Sequence, residues 1–235
     1  MFILGIDTSG RQGSVALVRA QGEELLTLDL LPISGGQYSE RLVPSIAELL
    51  AHHGIARSGV ELIAVASGPG SFTGLRIAIA TVKGLAEAFA TPVVDVSVLE
   101  AIALASGAEG NVVAALDAQR SEVFFGEYVV EPGRPELARK HREALASFGD
   151  FTELLGSHSA PKVFTPDEAL AVRLREAAID PEILARPSAE AFARIAYRKF
   201  LAGIRADVAT LDANYLRRSD AEIFSSPKGG LGTQA

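Results

Sequence analysis

Residues 62–89 constrain what this chain can fold into more than any other stretch. Leu62-Ile63-Ala64-Val65-Ala66 is an apolar run that predicts a buried strand. It enters Ser67-Gly68-Pro69-Gly70-Ser71-Phe72-Thr73-Gly74, where glycines, a proline and small hydroxyls predict a turn that exposes backbone. An almost uncharged run from Leu75 to Ala90 follows and stops at Thr91-Pro92. Strand, glycine loop and helix together present amide N–H groups to an anion. The same arrangement also lets a helix pack very close to a neighbour.

Plotted at the helical period, this helix separates three faces. Leu75, Ala78, Val82, Leu85 and Phe89 form a bulky apolar stripe, the expected core side. Arg76, Lys83 and Glu87 form a narrow charged stripe, and Ile77, Ala80, Thr81, Gly84 and Ala88 a small-sided surface between. Glycine inside a helix costs about 1 kcal/mol relative to alanine, so Gly84 predicts a close packing partner. That partner is either another part of the same domain or another molecule, and the pattern leaves both open.

A core of this kind needs apolar content, and the chain has it. Of 235 residues, 48% are hydrophobic and 22% charged, the balance of a globular protein with one large domain or two ordinary ones. A net charge of −7 argues against gripping nucleic acid over a broad surface. The absence of cysteine removes disulfides and thiolate metal sites and fits a reducing compartment. With no basic leader and no run of about 18 apolar residues, the expectation is a soluble cytoplasmic protein with no membrane partner.

In chain order, Phe2 to Ile6 reads as a strand ending in Asp7-Thr8-Ser9, with strands at Ser14–Val18 and Glu24–Leu31 behind glycine turns. A helix is expected from Gln37 to His53, with Leu42, Val43, Ile46, Leu49 and Leu50 on one face and Gly54 as its stop. The opening motif follows, then a strand at Pro92–Val96 and a helix at Ser97–Ala105. A second series runs through Val112–Leu116, ending in Asp117, and Val123–Val130. Beyond a mixed region to Gly156 come a strand at Lys162–Thr165, a helix at Pro166–Ala178, and a helix opened by Pro187-Ser188-Ala189-Glu190. The expected division is an N-terminal lobe at 1–105, a C-terminal lobe at 106–224 and a disordered tail at 225–235.

Both halves begin with a strand pair whose leading strand ends in an acid, Asp7 or Asp117. Two such α/β lobes resemble the actin, sugar-kinase and Hsp70 architecture, in which acids at these strand ends handle a nucleotide's metal and phosphates. Asp7, Thr8, Ser9 and Asp117 are therefore the candidate cleft residues; as turn formers they would mean less.

Motif by motif, the chemistry is thin. Gly68, Gly70 and Gly74 with Asp95 resemble a loose dinucleotide fingerprint, but Pro69 interrupts it and the strand is not the first of its unit. Leu75-Arg76 stands where a phosphate-binding Walker loop needs Lys-Ser/Thr, and Pro69 and Thr73 flank Ser71 where a nucleophile elbow needs glycine. The four histidines, His52, His53, His141 and His158, are not spaced to put two on one helix face, so no metal set is read from them.

Ile6-Asp7-Thr8-Ser9, residues 39–50, Ser67 to Ile77, Asp117-Ala118 with Glu122-Val123, and Tyr215-Leu216-Arg217 together resemble the TsaB (YeaZ) family of bacterial tRNA threonylcarbamoyladenosine (t6A) biosynthesis proteins. The likeness is dense to about residue 128 and returns near Tyr215. Tyr38 stands where the family often has histidine. The resemblance implies an actin-like fold and a non-catalytic accessory role in modifying adenosine 37 of tRNA. It implies pairing with the catalytic paralogue TsaD, support from the ATPase TsaE, self-pairing when alone, and contact with tRNA only through the complex. It implies no cofactor of its own, with weak ATP or ADP binding only inside that complex. The interface it implies lies on the two N-lobe helices: Tyr38, Leu42, Ile46, Leu49, Arg76, Ile77, Ala80, Lys83, Gly84 and Glu87. Two rival readings are an active nucleotide-dependent transferase or ATPase using Asp7 and Asp117, and a dinucleotide-binding oxidoreductase.

Overall fold

The chain builds the same unit twice. In the computed structural model, which describes residues 1–132, 138–156, 161–214 and 216, the first unit opens with β1 (Phe2–Asp7), β2 (Gln12–Gln21) and β3 (Glu24–Ser34). It continues through α1 (Tyr38–His52), β4 (Leu62–Gly68), α2 (Phe72–Phe89), β5 (Val93–Ser97) and α3 (Val98–Ala105). The second repeats the order with β6 (Gly110–Asp117), β7 (Glu122–Val130), β8 (Ala138–Ser147), α4 (Phe148–Gly156), β9 (Lys162–Thr165), α5 (Glu168–Glu176), β10 (Glu182–Ile183) and α6 (Ala189–Leu201).

Sheet topology repeats as well. The first sheet runs β3-β2-β1-β4-β5 and the second, taken from its outer edge, β8-β7-β6-β9-β10. In each, the meander is antiparallel and the two later strands run parallel to the first, as helical crossovers require. These two mixed sheets with flanking helices are the expected α/β, actin/Hsp70-like two-lobed fold.

The last helix of each unit crosses to the other one. α6 packs on β1, β2, β4 and β5, and α3 packs chiefly on β6, β7 and β8. Both therefore lie between the sheets, with α1 and α2 outside the first sheet and α4 and α5 outside the second. Strand alternation follows these layers: Leu62, Ala64 and Ala66 of β4 join the inter-sheet core, while Ile63 and Val65 join the outer core under α1 and α2. A strand covered on both faces has no polar side to show, which is why β4 reads as a continuous apolar run. Contact between α6 and β1 is unusually close; a Cβ on Gly5 would stand 2.1 Å from the Ala189 carbonyl oxygen.

Most expected elements are present, and α1 ends as read. Gly54 takes φ +65°, its N–H donates to Ala51, and that of Ile55 donates to Leu50, which closes the last turn. β8, α4 and β10 are absent from the sequence reading. β8 is an edge strand whose Arg139-Lys140-His141-Arg142 face is exposed, so it lacks the apolar alternation that marks a strand. The core face of α2 also differs: Ile79 and Ala86 are buried beside Leu75, Ala78 and Val82, while Leu85 is half-buried and Phe89 exposed. A helix apolar almost all round does not fix its own rotation. The disordered tail expected at 225–235, with Tyr215 and Arg217, lies outside the described residues.

Candidate functional site

A cleft of about 1620 Å³ opens between the lobes, lined by the loops after β1, β4 and β6, the start of α5, and Arg186. Its N-lobe wall is built by glycines. Ser71 donates its N–H to the Ser9 carbonyl at 2.7 Å, and Thr8 donates its hydroxyl to the Gly74 carbonyl at 2.7 Å. A Cβ on Gly70 would stand 2.2 Å from the Ser9 oxygen, and one on Gly74 2.1 Å from the Thr8 oxygen. The glycines thus exist for close contact between this loop and the loop after β1. Ser71 caps α2, accepting from the Gly74 N–H.

This closure takes Asp7 out of the cleft. Asp7 is 2% exposed, and its carboxylate accepts the Ser9 N–H at 2.8 Å. Burial pushes its carboxyl above the usual value, while the hydrogen bonds from Ser9 and the Arg186 charge pull the other way. Thr8 and Ser9 are buried with it, although Ser9 still borders the cleft. Tyr38 covers the same loop and donates to the Gly10 carbonyl at 2.8 Å; burial, then the Asp7 charge, push its hydroxyl up to about 12.

The C-lobe wall is open. Asp117 is half-buried, lines the cleft, and accepts from the backbone and side-chain amides of Gln119. Gln119, Arg120 and Ser121 all take positive φ, between 53° and 63°, so the loop turns left-handed without glycine. Asp167, just before α5, accepts the Asp117 N–H at 2.7 Å. Arg186 crosses from the segment before α6, donates to the Ser9 hydroxyl at 3.2 Å, and keeps its buried Nε–H without a partner among the described residues. Asp167 and Arg186 escaped the sequence reading. Asp167 carried a detectable signal, a cap-type residue before a periodic run, whereas Arg186 is set only by the crossover of α6.

The dinucleotide reading fails on this geometry. β1 and β2 are antiparallel, Gly70 and Gly74 face the chain's own carbonyls, and Asp95 sits within β5 opposite Val65, away from the cleft lining. The expected interface divides in two. Tyr38, Leu42, Ile46 and Leu49 are buried in the core under the first sheet, and Ile46 also lines the floor of the groove between the two helices. Arg76, Ala80, Gly84 and Glu87 are exposed, Ile77 and Lys83 half-buried. Lys83 donates to the Ala209 carbonyl at 3.2 Å, and Arg76 lies 3.8 Å over the Phe72 ring. Among the described residues, a Cβ on Gly84 would meet nothing within 4 Å. Beside these, an apolar groove of about 170 Å³ runs between the helices, bordered by Val43 at 58% and Phe89 at 37% exposure.

The segment after α6 ties the lobes together. Leu211 and Ala213 are buried in the N-lobe core, the Asn214 N–H donates to the Ser67 carbonyl at 2.7 Å, and the Asn214 amide donates to Glu143 of β8. Tyr128 donates its hydroxyl to the same carboxylate, and burial followed by the Glu143 charge raises the Tyr128 hydroxyl above its usual range.

Comparison with known proteins gives a consistent answer. The family described as "TsaD: tRNA N6-adenosine threonylcarbamoyltransferase" matches residues 32–164. The chain is 30% identical over 227 residues to the tRNA threonylcarbamoyladenosine biosynthesis protein TsaB of Bacillus subtilis, covering 94% of this chain and 96% of that one. It is 28% identical over 236 residues to the protein of the same name from Escherichia coli, with the same coverage. Among solved structures, a Pseudomonas aeruginosa protein described as similar to peptidase YEAZ superposes with a TM-score of 0.72 at 30% identity, covering 92% of this chain and 99% of that one. YeaZ from Pseudomonas aeruginosa gives a TM-score of 0.70 at 29% identity, covering 91% and 100%.

Proposed function

Because the chain belongs to the TsaB family of tRNA threonylcarbamoyladenosine biosynthesis proteins, we propose that it is a non-catalytic subunit of the machinery that makes this modification. In this reading it pairs with a TsaD-type threonylcarbamoyltransferase, works with a TsaE-type ATPase, and meets tRNA only through the assembled cytoplasmic complex. Alone, it pairs with a second copy of itself through the same surface.

The observation that carries the reading is Gly84. A helical glycine costs about 1 kcal/mol, and nothing among the described residues packs close enough to account for it. With Ala80 one turn away, it leaves a strip where a partner helix can approach at the short end of the usual 8–10 Å interaxial range. The groove beside it, edged by Val43, Leu85 and Phe89, adds apolar surface of the kind that interfaces cover. Arg76 and Glu87 rim the surface with charge.

The rival reading, an active nucleotide-dependent enzyme, needs a carboxylate that reaches the cleft from each lobe. Asp117 does, but the buried Asp7, held by Ser9, has no path to a bound metal or phosphate. An anion entering the cleft would meet Arg186 instead. The test is reconstitution. Incubated with tRNA, ATP, threonine, bicarbonate and a threonylcarbamoyl-adenylate synthase, the chain alone yields no modified adenosine; adding TsaD-type and TsaE-type proteins yields it. Modification without the TsaD-type protein would contradict the proposal.

A further inference from the structure

At the far end of α1 from the cleft, three side chains with metal-binding atoms converge. We propose that Asp29, His52 and His53 form a binding site for a borderline divalent transition-metal ion, with Zn(II) as its simplest occupant. Asp29 comes from β3, the edge strand of the first sheet, while His52 closes α1 and His53 is its cap. One ligand atom from each lies within 4.8 Å of the other two, and His53 Nε2 is 3.2 Å from Asp29 Oδ2. The two imidazole centroids are 5.1 Å apart with planes tilted by 49°, so the rings are not stacked on one another.

These distances suit a metal. Bond lengths near 2.1 Å to nitrogen and oxygen in a tetrahedral site put neighbouring ligand atoms about 3.4 Å apart. The His53–Asp29 pair already stands at that separation. The third atom has to travel at most about 1.4 Å, which a rotation of the exposed His52 side chain supplies.

Consecutive residues on a helix point about 100° apart, which is why the sequence pattern alone argues against such a site. Here the second histidine has left the helix. His53, the cap residue, takes φ −95°, ψ 6°, and its ring reaches Asp29 on β3. The donor set selects the class of ion. Two imidazoles and one carboxylate suit Zn(II), Ni(II) or Cu(II), whereas Mg(II) takes an all-oxygen shell. Asp29 and His53 are half-buried and His52 exposed, so the fourth position faces solvent and is open to water or to a group from another molecule. The bound ion would tie the sheet edge to the end of the helix that edges the apolar groove.

Four histidines and no cysteines leave few competing sites on the chain. Calorimetric titration of the tag-free, full-length, metal-stripped protein with Zn(II) gives one ion per chain, and Mg(II) gives none. His52→Gln, His53→Gln and Asp29→Asn each weaken Zn(II) binding at least tenfold. His141→Ala, at an exposed position of β8, leaves it unchanged. Thermal melts without metal establish that the variants fold, and Zn(II) raises the melting temperature of the natural chain but not of His53→Gln. Failure of the natural chain to bind at sub-millimolar Zn(II), or binding that survives both His52→Gln and His53→Gln, overturns the proposal.

Discussion

The two lobes share one topology and treat the acid at the end of their leading strand in opposite ways. In the N-lobe, α2 starts with a glycine loop pressed onto the carbonyls of Thr8 and Ser9, and Asp7 is sealed beneath. In the C-lobe, the matching helix α5 starts at Asp167, which reaches the Asp117 N–H through a side chain and leaves Asp117 facing the cleft. Backbone-to-backbone packing excludes solvent; a single hydrogen bond does not. A conserved strand order therefore fixes where a functional group can be placed, while the residues at one helix start decide whether it can act. The helices diverge in the same sense. α1 and α2 have 15 and 18 residues, with an exposed apolar groove between them, while α4 and α5 have nine each.

The sharpest way to break this contrast is to add one carbon to each lobe. Gly74→Ala sets a Cβ 2.1 Å from the Thr8 oxygen, where backbone must move. Overpacking of this kind costs about 3 kcal/mol, a fall in melting temperature of roughly 6–12 °C for a chain of this size. Gly149→Ala in α4 meets only the Ser147 hydroxyl at 3.9 Å, so it is neutral or gains up to about 1 kcal/mol of helix propensity. Equal losses in both variants would mean that the glycine contacts do not close the N-lobe wall.

A smaller effect separates the two acids. Burial holds the Asp7 carboxyl above 3.8, so its protonated form is favoured by folding. Its contribution to stability is full below that pH and is lost as pH rises through the higher folded value. Asp7→Asn keeps an acceptor for the Ser9 N–H and removes the charge. Relative to the natural chain it is expected to melt higher at pH 8 and to lose that advantage at about pH 4, as read by thermal melts across pH. Asp117→Asn, half-exposed, changes stability by less than about 1 kcal/mol at either pH. A uniform loss for Asp7→Asn at all pH values would point to a buried ionised aspartate.

Much of this is legible in the residues. Apolar runs bounded by glycine and proline locate β1, β4 and β6, and Asp7 and Asp117 mark the duplicated strand ends. What the sequence lacks is long-range information. α6 reads as a helix from its own pattern, but nothing local says that it crosses to the first sheet and brings Arg186 to Ser9. β8 shows its charges to solvent and so hides as a loop. The glycines of 68–74 read equally as an anion cradle or as close packing, and only the Thr8 and Ser9 carbonyls opposite them decide the matter. Leu42, Ile46 and Leu49 lie on one buried apolar stripe, whereas Val43, one position round, is exposed and borders the outer groove with Ile46 and Ala47.

The central claim is that this chain works through the outer face of α2 and not through its cleft. It is tested most directly by measuring the affinity of a TsaD-type partner for Gly84→Leu and Asp7→Asn side by side, with melting curves on the same samples. A leucine at the contact forces two helices apart, and overpacking at an interface by about 1–3 kcal/mol corresponds to a loss of affinity of roughly 5- to 150-fold. Gly84→Leu is expected to lose that much while each chain keeps its fold, because the side chain points away from the core of its own chain, and Asp7→Asn is expected to bind as the natural chain does. Unchanged binding by Gly84→Leu together with loss of binding by Asp7→Asn would contradict the account.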